Sequence, residues 1–330
     1  MQHEVVSIII PTYNRADMVV QAIESVVAQS YKATQIIVID DGSQDGTAER
    51  VAEFKNVEYI YQEKKGQAAA RNLGLAHAKG KYIASLDSDD VWDADFLKVA
   101  VDAVERFEVD FVFLNWRDFS EGEYRSNNFD RIKELRRCSS SSGEEWSPLS
   151  PKVLRSLFVK TCAAPTSAWL IRRSSFFSCW NEEMKIADDW YLILEMVLMK
   201  PCKAAYTHLP YWTKRVHSSN ICHGRDALEV LQELGLHDER VFLRDFHGLL
   251  SSQEKAIVKR RLSLHNLYFG YLMIKREGVS VESLKSIVTA FLASPVGGTY
   301  HFLCLSFNHL KRRMLLAQGR KKTAPGSFCI

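Results

Sequence analysis

The sequence predicts an α/β protein in which a mostly parallel sheet is flanked by helices and followed by a C-terminal helical extension. Three observations carry this. Short β-branched runs alternate with amphipathic helical patterns over the first third of the chain. Three of those runs end in polar or acidic turn motifs. Beyond about Asn220 only helical periodicity remains. Strand and helix in alternation is the signature of parallel strands joined by crossover helices.

Val5–Ile10 is nearly all apolar, as in a strand buried on both faces. Asn14 stands where a helix cap belongs, with Asp17 in the first turn, and Met18, Ala22, Ile23, Val26 and Val27 then share one helical face. Gln35–Ile39 is a second buried strand and Thr47–Phe54 a short helix. Val57–Tyr61 is a third strand, and Gly66 and Gly80 bracket a helix. Tyr82–Leu86 is a fourth strand, Asp93–Arg106 a helix and Phe111–Leu114 a fifth strand. From Trp116 to Ser150 the periodicity is lost, and Cys138–Gly143 reads as a loop. Trp169–Ile171 and Tyr211–His217 read as strands, and Asp188–Lys200 as an amphipathic helix. Helices are then expected over Ala227–Phe246, Gln253–Lys275, Val281–Leu292 and Tyr300–Ala317. The boundary near Ser218–Arg225 divides a catalytic domain, 1–220, from a helical region, 221–330.

Composition bounds the function. Hydrophobic residues make up 46% of the chain and charged residues 25%, an ordinary globular balance. The net charge of +3 is too small to argue for nucleic acid. It is unevenly spread, because no acidic residue follows Glu282 while Lys285, Lys311, Arg312, Arg313, Arg320, Lys321 and Lys322 do. That basic end suits an anionic membrane surface, and Leu303, Phe307, Leu310 and Met314 lie beside it at helical spacing. The rival reading packs this helix on the catalytic domain. Seven cysteines without CxxC spacing exclude a zinc site and a disulfide framework. The N-terminus lacks the features of a signal peptide, and Ser286–Leu310 is too interrupted to span a membrane. The expected location is cytoplasmic, with peripheral contact at the inner membrane face. The sequence says nothing of oligomeric state.

The chemistry lies in Pro11-Thr12-Tyr13-Asn14, Asp40-Asp41-Gly42-Ser43 and Asp87-Ser88-Asp89-Asp90. Open α/β sheets place ligands beyond the carboxyl ends of their strands, where all three motifs fall. Adjacent acidic groups repel unless a cation or ligand hydroxyls neutralise them. A dinucleotide fingerprint and a P-loop are both missing, so phosphate must be held by other means. A D-x-D cluster suits Mg²⁺ or Mn²⁺, which take carboxylate oxygens together with substrate phosphates. The bland readings are kept beside these. Asp40 ends a strand and caps a turn, Asp87 and Asp89 cap the helix at 93, and Arg71 pairs with Asp87 or Asp41 instead of phosphate. His217 is structural, and Trp169, Trp190 and Trp212 are core.

VSIIIPTYNR, VVAQSY, VIDDGSQDGT, GQAAARNLGLAHAKGKYIASLDSDD and ADDW, in this order and spacing, resemble a family 2 glycosyltransferase of the GT-A fold, of the kind that builds bacterial surface glycans. The likeness is close over residues 5–115 and looser over 160–220. It implies an inverting, hexosyltransferase-type enzyme with a nucleotide-diphosphate sugar donor, commonly a UDP-sugar, a divalent metal (Mn²⁺ or Mg²⁺) and a glycan or lipid-linked acceptor. Pro11, Thr12 and Tyr13 then resemble the nucleobase pocket, and Asp41 the carboxylate that pairs with the base. Asp87 resembles the residue near ribose and metal, Asp89 the main metal ligand, and Asp189 the catalytic base. Asp188 stands where the family has Glu. His217-Ser-Ser-Asn220 resembles a segment that helps hold the metal or diphosphate. Two rivals remain, a sugar nucleotidyltransferase and a non-catalytic nucleotide-sugar-binding protein.

Overall fold

A computed structural model describes residues 4–125, 128–138, 145–218, 220 and 225–302. The chain divides into two compact units. One comprises Met1–Phe158 and Cys162–Gly224, the other Val159–Thr161 and Arg225–Ile330.

The first unit is built on a sheet. In chain order it contains β1 (Val6–Thr12), α1 (Ala16–Val27), β2 (Thr34–Asp40), α2 (Thr47–Val51), β3 (Val57–Tyr61), α3 (Gln67–His77), β4 (Tyr82–Ser85), β5 (Asp90–Trp92), α4 (Phe96–Arg106) and β6 (Phe111–Ser120). Then follow β7 (Glu123–Arg125), α5 (Lys133–Cys138), β8 (Trp146–Leu149), α6 (Pro151–Lys160), β9 (Trp169–Arg172), α7 (Asp188–Met199) and β10 (Ala204–Arg215). The strand order is β3-β2-β1-β4-β9-β6-β10-β5, with β7 on β6 and β8 on β10. Strands β3, β2, β1 and β4 run parallel, as the alternation predicts. The other half is mixed. β9 is antiparallel to both β4 and β6, while β10 runs parallel to β6.

The core explains the pattern. Every residue of β1 is buried, and Ile8, Ile9 and Ile10 have no exposure. Helix α4 turns Phe96, Leu97, Ala100 and Val104 inward. Trp169, Trp190 and Trp212 are all core, as the bland reading held. The Trp190 and Trp212 indoles donate to Phe158 O and Leu114 O.

Three local expectations are corrected. Asn14 does not cap α1. It has φ +50° and accepts from the Gln44 amide, and Asp45 instead receives the Ala16 N–H at 3.0 Å. The loops after β1 and β2 are thereby stitched together. Gly80 does not close α3, which ends at His77. A side chain there would come within 2.6 Å of the Ser7 and Val5 backbones, so close approach demands glycine. The stretch from Trp116 to Ser150 contains the end of β6, β7, α5 and β8 among its described residues. Of the expected loop Cys138–Gly143, residues 139–144 lie outside the described residues, and Cys138 ends α5.

The second unit is helical. It contains α8 (Ala227–Val230), a π-helical segment (Leu231–Asp238), α9 (Glu239–Asp245), α10 (Ser252–Glu277) and α11 (Val281–Ala293). The single helix expected over Ala227–Phe246 is thus interrupted by the π segment. Leu231, Leu236, Leu262, Phe269 and Met273 form the unit's core. Capping boxes at Ser251 and Ser280 open α10 and α11. Most of the helix expected over Tyr300–Ala317, with Leu303, Phe307, Leu310, Met314 and Lys311–Arg313, lies outside the described residues. Among the described residues no helix is long and apolar enough to cross a membrane.

Candidate active site

The carboxyl ends of β1, β2 and β4 bring the three motifs together. Asp41 N–H donates to Thr12 O at 2.9 Å and joins the first two. Thr12 is buried, and its Oγ1 makes no hydrogen bond among the described residues. Tyr13 is 39% exposed, and the Lys64 ammonium lies 3.6 Å from its ring centroid. Asp40 takes its bland role, accepting from Ser43 N–H and the Tyr59 hydroxyl. Asp41 is buried and accepts from Gln62 Nε2 at 2.7 Å, Lys65 N–H at 2.7 Å and Gly66 N–H at 2.8 Å. Its carboxylate therefore fastens the loop that opens α3.

The motif after β4 is the acidic centre. Asp87, Asp89 and Asp90 each offer an oxygen, all within 4.8 Å of one another. Asp89 is buried, and its Oδ2 meets Arg15 at 2.9 Å, Asn220 Nδ2 at 2.8 Å and His217 Nε2 at 3.2 Å. Burial alone would raise the Asp89 pKa. The His217 hydrogen bond and the Arg15 charge outweigh it and hold the group below the usual carboxylate range. Asp90 goes the other way. Burial, then the charges of Asp89 and Asp87, push it well above that range. Ser167 donates to it at 2.6 Å and accepts from Asp87 N–H at 3.1 Å.

This donor set fits a divalent cation. It is all hard oxygen, it is crowded, and burial together with the charges of Asp89 and Asp87 disfavours ionisation of Asp90, a strain that a positive charge relieves. His217 lies outside the triangle and contacts Asp89, so its geometry is that of a residue orienting this carboxylate.

Arg71 joins the acidic centre to the other pair of carboxylates. Its guanidinium is 3% exposed, donates to Asp87 at 2.7 Å and also grips Asp188. The ion-pair reading of Arg71 is therefore the observed one with Asp87, and Asp188 is its second partner. Asp188, the first residue of α7, also accepts from Gln67 at 2.7 Å. Burial raises its pKa against the pull of Arg71. Asp189 is less enclosed. Its carboxylate accepts the Trp190 N–H at 2.6 Å and lies 3.4 Å from Thr166 Oγ1. Burial, then the charge of Asp188, raises its pKa to about 7. A carboxylate poised there is basic enough to take a proton from a hydroxyl at neutral pH.

Four contributors carry no role in the sequence reading. Arg15 follows the first motif directly and is visible there only as a nearby cation. Ser167 and Gln67 are ordinary polar residues whose partners lie 77 and 121 residues away. Arg215 donates to Asp89 O and Met18 O, fixing the acidic turn against α1.

The sequence profile of glycosyl transferase family 2 matches residues 7–178. The chain belongs to that family. It is 41% identical over 123 residues to an uncharacterized glycosyltransferase of Rickettsia felis, a match spanning 36% of this chain and 20% of that protein. It is 40% identical over 116 residues to the Escherichia coli UDP-Glc:alpha-D-GlcNAc-diphosphoundecaprenol beta-1,3-glucosyltransferase WfaP, 34% of this chain and 46% of that protein. The matched stretch thus spans from about a fifth to about half the length of these relatives. The structure resembles that of S. aureus TarS 1-349 in complex with UDP-GlcNAc at a TM-score of 0.64 and 18% identity, over 90% of this chain and 83% of that one. The fold is GT-A, as the motifs implied.

The Arg71 bridge yields a stability prediction. Removing one partner of a buried ion pair leaves the other charge without compensation, at a cost of about 3–5 kcal/mol. Arg71→Met should lower the unfolding free energy by about that amount in urea titrations. Arg71→Lys should recover only part, since an ammonium lacks the guanidinium's fork. Stability within about 1 kcal/mol of the parent protein for Arg71→Met would show that the bridge is dispensable.

Proposed function

We propose that this chain is an inverting glycosyltransferase that moves a sugar from a UDP-sugar to a hydroxyl of a glycan or lipid-linked acceptor. The observation that carries the reading is one continuous charge network. A three-carboxylate centre at the end of β4 is tied through Arg71 to Asp188, whose neighbour Asp189 has a pKa near 7.

The roles follow from position. The buried Pro11 and Thr12 and the exposed Tyr13, beside the buried Asp41, form the nucleobase pocket. The unpartnered Thr12 hydroxyl supports a ligand there, because buried hydroxyls in native proteins find partners. Asp87 and Asp89 hold the divalent ion, with Asp90 behind them. Bound Mn²⁺ or Mg²⁺ would supply charge stabilisation for the departing diphosphate. Arg15 and Arg71 keep the carboxylates apart and aimed. Asp189 takes the proton of the acceptor hydroxyl as that oxygen attacks the anomeric carbon, and no covalent intermediate with the protein is needed. A cytoplasmic location, with the basic tail against an anionic membrane surface, belongs to the same reading. It agrees with the lipid-linked substrate named for the E. coli relative.

Incubation of the purified chain with UDP-sugars and Mn²⁺ tests the reading. UDP release is expected, slow without acceptor and abolished by EDTA. Release of pyrophosphate, or no turnover with any nucleotide sugar across a donor and acceptor panel, would overturn it.

A further inference from the structure

Helix α11 buries its small residues most deeply and exposes four large aliphatic ones. Its buried positions are Ser283, Ser286 and Ala290. They lie on one side of the helix and pack on α10, where Ser286 Oγ donates to Asn266 O at 2.9 Å. The two backbones approach closely. A side chain at Gly270 of α10 would come within 2.8 Å of Ser283 O and Ile287. Ile287 and Phe291 are half-buried at the edge of this packing, and the other four large apolar residues face the opposite way. Val281 is 84% exposed, Leu284 50%, Val288 56% and Leu292 78%. At about 100° per residue these four fall within a narrow arc directly opposite Ala290. Val296, Tyr300 and Phe302 continue the exposed series at 84%, 54% and 48%.

A helix in a water-soluble protein normally buries its large apolar residues and exposes its small polar ones. The reverse, with close small-residue packing inside and bulky aliphatics outside, is the arrangement of helices that meet lipid. Helix α11 has 13 residues, too few to span a bilayer, so such a helix lies in the interface plane. Charge completes the fit. Lys285 borders the arc on the helix, and Glu282 is the last acidic residue of the sequence, after which six more basic residues follow Lys285. On α11 itself Glu282 and Lys285 offset one another, so the net positive charge lies in the sequence beyond the helix.

We infer that the outer face of α11, formed by Val281, Leu284, Val288 and Leu292, docks in the interface of an anionic lipid membrane. This deepens the membrane contact proposed for the basic tail and rests on that reading for the sign of the lipid charge. The apolar face rests on the geometry of α11 alone.

Sedimentation with phosphatidylglycerol-containing vesicles and with pure phosphatidylcholine vesicles tests it, using the full chain. The parent protein should bind the anionic vesicles, and Val288→Glu/Leu292→Glu should bind them about tenfold or more weakly. Its circular dichroism and UDP release should be unchanged, since neither residue belongs to the active site. A Lys311→Gln/Arg312→Gln/Arg313→Gln variant should lose the preference for anionic over neutral lipid and keep the apolar contribution. No binding of the parent to either vesicle overturns the inference. So does unchanged binding of the α11 variant, even if the tail variant loses it, in which case the tail reading survives alone. A parent that sediments as a dimer, and that the α11 variant renders monomeric without changing lipid binding, assigns the face to a second copy and also overturns it. UDP release is read separately, so failure of the proposed activity leaves the vesicle result interpretable.

Discussion

Asp189→Asn is expected to lower turnover by roughly 10²–10⁴-fold while leaving donor affinity nearly unchanged, because a general base acts on the chemical step and not on donor binding. The structure separates the two adjacent acids. Asp188 is 1% exposed and is held by Arg71 and Gln67. Asp189 accepts from the Trp190 amide, lies near the Thr166 hydroxyl and feels the Arg71 charge at longer range. Burial, reinforced by the charge of Asp188, raises its pKa to about 7. Turnover should therefore rise with pH through about 7 and level off above it, and Asp189→Asn should erase that limb. The stability effect has the opposite sign. A carboxyl whose folded pKa lies above its unfolded value of 3.8 favours the fold when protonated, and that contribution is lost as pH rises through about 7. Asp189→Asn should accordingly melt higher than the parent at pH 8, by a margin that shrinks toward pH 5. Asp188→Asn should instead weaken the fold by removing one of Arg71's two charged partners. Measured kcat, donor Kd and melting temperature for both variants decide the matter. If Asp188→Asn abolishes transfer while Asp189→Asn keeps most of it, the two roles must be exchanged.

The donor half of the fold was legible because its signals are local. Each parallel strand is a short, largely apolar run, and β1, β2 and β4 end in motifs whose residues differ from anything a strand or helix needs. The mixed half was less so. β9 reads as a strand from Trp169–Ile171, yet nothing in those residues says that it inserts antiparallel between β4 and β6. β5 has three residues, Asp90–Trp92, and overlaps the acidic motif, so it carries no periodicity of its own. In the site, Asp87 and Asp89 stood out by excess of charge. Arg71 was ambiguous because its partners are set by packing, with Asp188 117 residues further along the chain. Asn14 was misread as a cap for a related reason. Its own side chain satisfies the neighbouring loop, and the helix N-terminus is served by Asp45, which only the pairing of β1 with β2 brings near. The inverted packing of α11 was invisible, because periodicity shows that an apolar face exists but not which face the protein buries.

Asp89→Asn is expected to reduce activity by about 10²-fold or more and to weaken metal-dependent donor binding, since the substitution keeps the shape and removes one charge from the cation's oxygen set. Asp89 is the member of the triad best suited to hold a cation. Although burial opposes its ionisation, His217 and Arg15 keep its pKa below the usual range, so it stays charged throughout the neutral range. Burial and the neighbouring carboxylates push the Asp90 pKa well above the usual carboxylate range, and Asp87 shares its charge with Arg71. Loss of the Asp89 charge therefore leaves the centre with Asp87, already paired with Arg71, and with Asp90, whose ionisation is disfavoured. A confounding effect is that Arg15 and His217 lose their charged partner. His217→Gln separates the two, because it leaves Asp89 in place and removes only the imidazole. It should retain Mn²⁺-dependent binding of UDP, somewhat weakened, whereas Asp89→Asn should bind UDP with the same low affinity in Mn²⁺ as in EDTA. Titration calorimetry of UDP in both conditions, with circular dichroism to confirm folding, gives the comparison. Full activity of Asp89→Asn in EDTA would remove the metal from the reading and leave Arg15 as a counter-charge for the diphosphate.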